Sequence, residues 1–162
     1  MRRVFLILSF ILVFFLLEAL FFNLSGGIFN PKLSILLVIF INLALGIRYS
    51  LLTAVCSGLL EDSFSSSPFG IYLFAFVVCA YMTTFLQKLF YARGSDASRL
   101  VLVFLIYVVY FSVVCTFKMM QADYALEEAF AYILLPQGFA TLIVTPFIFT
   151  KLKQCASKVF VY

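Results

Sequence analysis

The sequence contains no histidine and no tryptophan, and only 11% of its 162 residues are charged. The lack of histidine argues against a Ser-His-Asp triad and against the common zinc and haem ligand sets. Without tryptophan, tyrosine has to supply any aromatic belt at a membrane interface. Hydrophobic residues make up 65% of the chain, against roughly 45–50% in soluble domains. Such a composition excludes a water-soluble globule and indicates an integral membrane protein.

Long apolar runs without alternation predict an all-α membrane protein rather than a β-barrel. We predict a single membrane domain over residues 1–162, with six spans at about 4–22, 33–47, 49–64, 69–87, 100–117 and 129–150. The first span is expected to be a retained anchor rather than a cleaved signal peptide, because its apolar core is long and no A-x-A-like site follows it. Pro136, Gly138 and Pro146 predict a kink or local unwinding in the last span.

The basic residues are distributed unevenly between the two sides of this predicted topology. With the N-terminus inside, the cytoplasmic side receives nine of the eleven basic residues: Arg2, Arg3, Arg48, Lys88, Arg93, Arg99, Lys151, Lys153 and Lys158. Only Lys32 and Lys118 fall outside. The positive-inside rule therefore favours six spans with both termini in the cytoplasm.

The stretch GLLEDSFSSSPFG (58–70) is predicted to be the outer turn between spans three and four. Pro68 suits the first turn of the following helix. Small residues recur every four positions on both sides of the turn, and such stripes allow two membrane helices to approach closely. Those residues are Ser50, Ala54 and Gly58 before the turn and Ala75, Cys79 and Thr83 after it. We expect a tight helical hairpin.

Three acids and one amide within or beside the spans have two interpretations each. Glu61 and Asp62 are either solvated at the interface or buried and functional, while Glu18 lies about one turn inside the outer boundary and favours a functional or helix-pairing role. Asn42 is expected to donate a hydrogen bond between helices rather than to bind a ligand. For Asp62 we predict capping of the next helix, or contact with a partner, rather than catalysis or transport.

The order of these features resembles the rod shape-determining protein MreD family of bacteria. The run NPKLSILLVIF, with Pro31 at the start of a short span, precedes a turn in which Gly58, Asp62, Ser65 and Gly70 match the family pattern. Ser66 stands where the family usually has glycine. The stretch LIVTPFIFTKLK also resembles the family, through a proline followed by basic residues: Pro146, Lys151 and Lys153.

This resemblance implies a non-enzymatic scaffold of the cell-elongation machinery in the bacterial inner membrane. The expected partner is MreC, a bitopic protein, which connects the complex to cytoplasmic MreB filaments and to peptidoglycan synthases. The implied fold is similar to the substrate-binding subunits of energy-coupling-factor vitamin transporters. No catalytic, metal or cofactor-binding residue and no nucleic-acid partner is expected. The structural or partner-binding candidates are Glu18, Pro31, Asn42, Gly58, Glu61, Asp62, Ser65, Pro68, Gly70 and Pro146.

Three alternatives to the scaffold remain. A vitamin-transporter subunit requires a polar pocket under the outer loops and, by resemblance, an Ala-x-x-x-Ala pattern in span one, where only Ser9 and Ala19 are small. A proton-coupled carrier could use Glu18, Glu61 and Asp62, but the sequence shows no basic partner or second cluster for them deep in the membrane. An enzyme is the least favoured class, because no activated nucleophile or metal set is evident.

Overall fold

The computed structural model describes residues 2–25, 31–65, 68–90, 96–120 and 135–159. These residues form six α-helices and no strand: α1 (Arg2–Ser25), α2 (Leu33–Leu45), α3 (Ile47–Phe64), α4 (Ile71–Phe90), α5 (Asp96–Met119) and α6 (Leu135–Val159). The helices coincide in large part with the six predicted spans. The first part of the sixth predicted span, 129–134, lies outside the described residues.

Helix α2 lies at the centre of the bundle. Every residue from Leu33 to Ile39 is buried, and the helix packs against all five others, most extensively against α3 and α4. A helix that is apolar on all sides is typical of such a central position. By contrast, α1 contacts α2 and α3 on one side and exposes large apolar residues such as Phe5, Leu12 and Leu16 on the other.

Three helices contain segments that are long and apolar enough to cross a membrane, namely Val4–Leu24, Ile71–Leu89 and Ser98–Phe117. They belong to α1, α4 and α5. The shorter apolar helix α2 is one of the other predicted spans. Six crossings and cytoplasmic termini stay predictions from the charge pattern.

A single glycine separates α2 from α3. Gly46 has φ +88° and ψ 177°. Residues with a side chain rarely adopt this backbone conformation, whereas glycine tolerates it. Its N–H donates to the carbonyl of Asn42, and its own carbonyl accepts from the N–H of Ser50. The chain therefore reverses within one residue, and α2 and α3 are joined at this end of the bundle.

The predicted hairpin of α3 and α4 is confirmed. The two helices form the most extensive contact of any pair, and all six residues of the small-residue stripes are buried. At Gly58 the two backbones are very close, since a Cβ built there would lie 2.5 Å from the Cα of Leu73. The absence of a side chain at Gly58 is what lets the two backbones meet.

The last helix does not unwind at its proline. Helix α6 continues through Pro146 to Val159, so the local unwinding does not occur there, and a kink, the other outcome that the sequence predicts, stays a prediction. Thr145 and Thr150 donate their hydroxyls to the carbonyls of Thr141 and Pro146 at 2.6 and 2.7 Å. Neither of these is the carbonyl of Leu142, which loses its usual helical donor because Pro146 has no N–H.

Candidate functional site

A buried lysine connects two carboxylates at one end of the bundle. Lys32 Nζ lies 2.8 Å from Glu18 Oε1 and 3.2 Å from Glu61 Oε2. Glu18 belongs to α1, Lys32 immediately precedes α2, and Glu61 lies in the last turn of α3. The side chains are only 15%, 7% and 7% exposed for Lys32, Glu18 and Glu61. We call these three residues the charged cluster.

Neighbouring polar groups fix the geometry of the charged cluster. Ser34 donates both its backbone N–H and its hydroxyl to Glu18 Oε2, at 3.3 and 2.9 Å. The backbone N–H of Lys32 donates to Thr141 Oγ1 of α6 at 3.1 Å. The Lys32 ammonium also lies 5.8 Å from the centre of the Tyr72 ring of α4. The cluster therefore ties five helices together near one end of the bundle.

The charged cluster has an excess of negative charge. Two carboxylates and one ammonium sum to a formal charge of −1. Burial by itself lowers the pKa of the Lys32 ammonium, but Glu18 and Glu61 outweigh this effect and raise the pKa well above its usual value. Lys32 therefore stays charged at any physiological pH.

One carboxylate oxygen of the charged cluster has no hydrogen-bond partner among the described residues. It is the buried Oε1 of Glu61, and the buried hydroxyl oxygen of Ser57, one turn earlier on α3, likewise has no partner there. A buried polar atom without a partner costs stability and is uncommon in native proteins. Such an atom is a feature to be explained by the function of the site.

A cavity of about 260 Å³ adjoins the charged cluster. Its lining combines the three charged residues with four aromatic rings and a few small or polar side chains: Phe15, Glu18, Ala19, Phe22, Asn23, Lys32, Glu61, Phe64, Ser65 and Tyr72. The rings of Phe15 and Phe64 approach with centroids 5.1 Å apart. The cavity thus lies between α1, the end of α3 and the start of α4.

Asp62 has a different role from its neighbour Glu61. Its Oδ1 accepts the backbone N–H of Tyr72 and its Oδ2 that of Leu73, both at 3.0 Å. These are two of the N–H groups that the first turn of α4 cannot satisfy by itself. The predicted capping of the following helix is confirmed, and with it the description of this stretch as a joint between α3 and α4.

The remaining sequence-predicted residues divide between the neighbourhood of the charged cluster and the rest of the bundle. Asn42 donates to the carbonyl of Ala80 at 2.8 Å, which confirms the predicted hydrogen bond between helices. Pro31 is buried beside Lys32, while Pro146 lies within α6, far along the chain. The turn residues are Ser65, which directly follows α3, the exposed Pro68, and Gly70, whose φ is +105°. Because α4 begins at Ile71, Pro68 precedes the helix and does not lie in its first turn as predicted.

The carboxylates do have a basic partner, at one end of the bundle rather than deep within it. Lys32 contacts Glu18 and Glu61, although it is not among the residues predicted from the sequence. Ser34, Thr141 and Tyr72 are not among them either. One signal was available, because Lys32 is a basic residue placed directly before an apolar run on the side where few basic residues occur. A lysine in that position needs a carboxylate if it is buried.

Within the described residues, no group of three or more Cys, His, Asp or Glu side chains could hold a metal ion. The site contains a pairing of buried charges, a small cavity, and a turn between α3 and α4 in which Asp62 caps the start of α4. Together with three helices suited to cross a membrane, these features define an α-helical membrane protein whose charged residues join its helices at one end.

The comparison with protein families agrees with this class. The family model for rod shape-determining protein MreD matches residues 1–155, nearly the whole chain. The chain therefore belongs to the MreD family, as its turn and proline motifs indicate, and the family supports a role in rod shape determination. No curated protein and no solved structure matches the chain at a significant level.

Proposed function

We propose that this protein is a non-enzymatic scaffold in the bacterial cytoplasmic membrane that binds an MreC-like bitopic protein. Through that partner it links MreB filaments in the cytoplasm to peptidoglycan synthesis outside. The observation that carries the proposal is the family match over residues 1–155. The structure is compatible with a scaffold, since its polar side chains mostly join helices to one another rather than converge on a reaction site.

The peripheral position of α1 supports a docking role for this part of the molecule. Within the described residues, Phe5, Leu16, Leu20 and Leu24 of α1 are each more than half exposed. A membrane helix with so much free apolar surface can face lipid or pack against another membrane helix. A bitopic partner has one such helix to offer.

Copurification tests the proposal. The tagged protein is extracted from its host in mild detergent, and the chains that accompany it are identified by mass spectrometry. We expect an MreC-like chain in an amount comparable to the bait. An unrelated six-span protein with the same tag is the control, and equal recovery of that chain with both baits would contradict the scaffold.

A second candidate function is the substrate-binding subunit of an energy-coupling-factor-type vitamin transporter, whose fold is expected to be similar from the family resemblance. The cavity beside the charged cluster is the observation that favours it. In the same copurification, a pair of ATPases together with a coupling protein would decide for the transporter. Recovery of an MreC-like chain without ATPases would decide against it.

A further inference from the structure

With both carboxylates ionised, the charged cluster carries one negative charge that none of the described residues balances. Among the described residues that line the cavity, Lys32 is the only cation, and it is already shared by Glu18 and Glu61. A buried carboxylate without a full counter-charge is costly. The cavity is therefore electrostatically suited to a positive group and unsuited to an anion.

Glu61 provides the acceptor for such a group. Both oxygens of Glu18 have partners, since one contacts Lys32 and the other accepts from Ser34. The single hydroxyl proton of Ser34 is thus already donated. Glu61 uses Oε2 for Lys32, whereas its buried Oε1 accepts no hydrogen bond from the part of the chain that the structure describes. Because the terminal torsion of a glutamate has a broad range, Oε1 can turn toward the cavity that Glu61 lines.

The aromatic lining adds a second preference for a cation. Phe15, Phe22, Phe64 and Tyr72 surround the cavity, and Tyr72 already lies below the Lys32 ammonium. The faces of aromatic rings attract ammonium and guanidinium groups, and they also pack against the aliphatic stem that carries such a group. A volume of about 260 Å³ has room for one basic side chain.

We infer that this cavity binds one lysine or arginine side chain of a partner protein, whose charged end pairs with Glu61. A phospholipid headgroup fits less well, because its phosphate would lie against two carboxylates while Lys32 is already paired with both. The preference for a cation is argued from the charges and rings of the cavity. The assignment of that cation to a partner protein rests on the proposed function.

The affinity for the cation is tested on the purified protein by thermal unfolding in detergent. n-Butylammonium chloride serves as the probe, and sodium butyrate at equal ionic strength is the control of opposite charge. We expect the ammonium alone to raise the unfolding temperature in a concentration-dependent manner, and Glu61→Gln to abolish that rise. An equal response to both salts, or an unchanged response in Glu61→Gln, would overturn the site.

A second pair of variants keeps the test valid if Glu61→Gln unfolds. Phe64 and Phe69 are 76% and 69% exposed, but only Phe64 lines the cavity. Phe64→Leu removes a ring without changing any charge, so it should weaken the response to n-butylammonium severalfold. Phe69→Leu should leave the response as in the parent. If the two variants behave alike, the ring lining takes no part and the inference fails.

Copurification then identifies the source of the cation. We expect Glu61→Gln to recover at least tenfold less of the MreC-like chain than Phe69→Leu. If Glu61→Gln recovers that chain normally, the docking inference is wrong while the proposed function stands. If the parent responds to n-butylammonium but recovers no such chain, the proposed function fails and the cation site stands. Loss of copurifying phosphatidylethanolamine from Glu61→Gln, without loss of a protein, would overturn the protein side chain as occupant.

Discussion

Replacement of Lys32 by methionine tests whether the charged cluster holds the helices together. Methionine keeps most of the apolar stem but removes the ammonium that contacts Glu18 at 2.8 Å and Glu61 at 3.2 Å. The two contacting carboxylate oxygens are then left at most about 6 Å apart. With an effective dielectric constant of about 20, two unit charges at that distance repel each other by roughly 3 kcal/mol.

The total loss of stability in Lys32→Met should be much larger than the loss caused by an ordinary surface substitution. Removal of one partner from a buried ion pair typically costs about 3–5 kcal/mol, because it leaves an uncompensated charge behind. We expect a loss of this size for Lys32→Met, or a decrease on the order of 10 °C in unfolding temperature for a chain of this length. Uptake of a proton by one carboxyl group would hold the loss near the lower end of the range.

The assay is unfolding in detergent followed by circular dichroism, with heat and with sodium dodecyl sulfate. Lys88→Met is the matched control, because Lys88 is an exposed lysine near the end of α4. The double variant Lys32→Met/Glu61→Gln should recover more than half of the loss, since only the carboxylate hydrogen-bonded to Ser34 keeps its charge. Equal stability of Lys32→Met and Lys88→Met would refute the reasoning, and so would a double variant less stable than Lys32→Met.

Four further outcomes are expected. The pKa of Lys32 is raised, so its charge stabilises the fold fully below the usual lysine pKa of 10.5. That stability is lost only as the pH rises through the higher pKa of the folded state. A fall in unfolding temperature between neutral pH and about pH 9 in the parent, but not in Lys32→Met, would contradict this. Gly58→Ala should lower the free energy of unfolding by about 1–3 kcal/mol, because the added methyl group overpacks against Leu73. Phe74→Leu, at a half-exposed position, should unfold like the parent. Equal stability of the two variants would remove the packing argument. Asp62→Leu should lose about 1–2 kcal/mol of stability from helix capping and should no longer copurify the partner. Asp62→Asn can still accept one N–H, so it should retain much of the stability and of the partner. Normal assembly of Asp62→Asn without rod shape would show that the charge itself is needed. Single cysteines in a cysteine-free background should react with an impermeant thiol reagent from outside at Ser63 and not at Ser95, and outside labelling at Ser95 would overturn the six-span topology.

The amino-acid sequence by itself determined that the protein is embedded in lipid, that it is all-helical, and that α3 and α4 form a close hairpin. Apolar runs of about twenty residues can satisfy their backbone in lipid only as helices, so composition and run length were enough. The four-residue spacing of small residues likewise predicts where two helices approach, because that spacing lies on one helical face. The family could also be read from the turn and the last proline, since its motif is local in the chain.

Only the tertiary structure decided what the acids do. Glu61 and Asp62 are neighbours in the chain, but consecutive side chains diverge by about 100° around a helix. As a result Glu61 meets Lys32, 29 residues away, whereas Asp62 meets the first turn of α4. Glu18, Lys32 and Glu61 come from three separate segments. The residue types indicate that a buried Lys32 needs a carboxylate, but the spacing does not show which acids it meets. Their contact depends on how α1, α2 and α3 pack, and that packing is also what leaves one carboxylate oxygen beside an aromatic cavity.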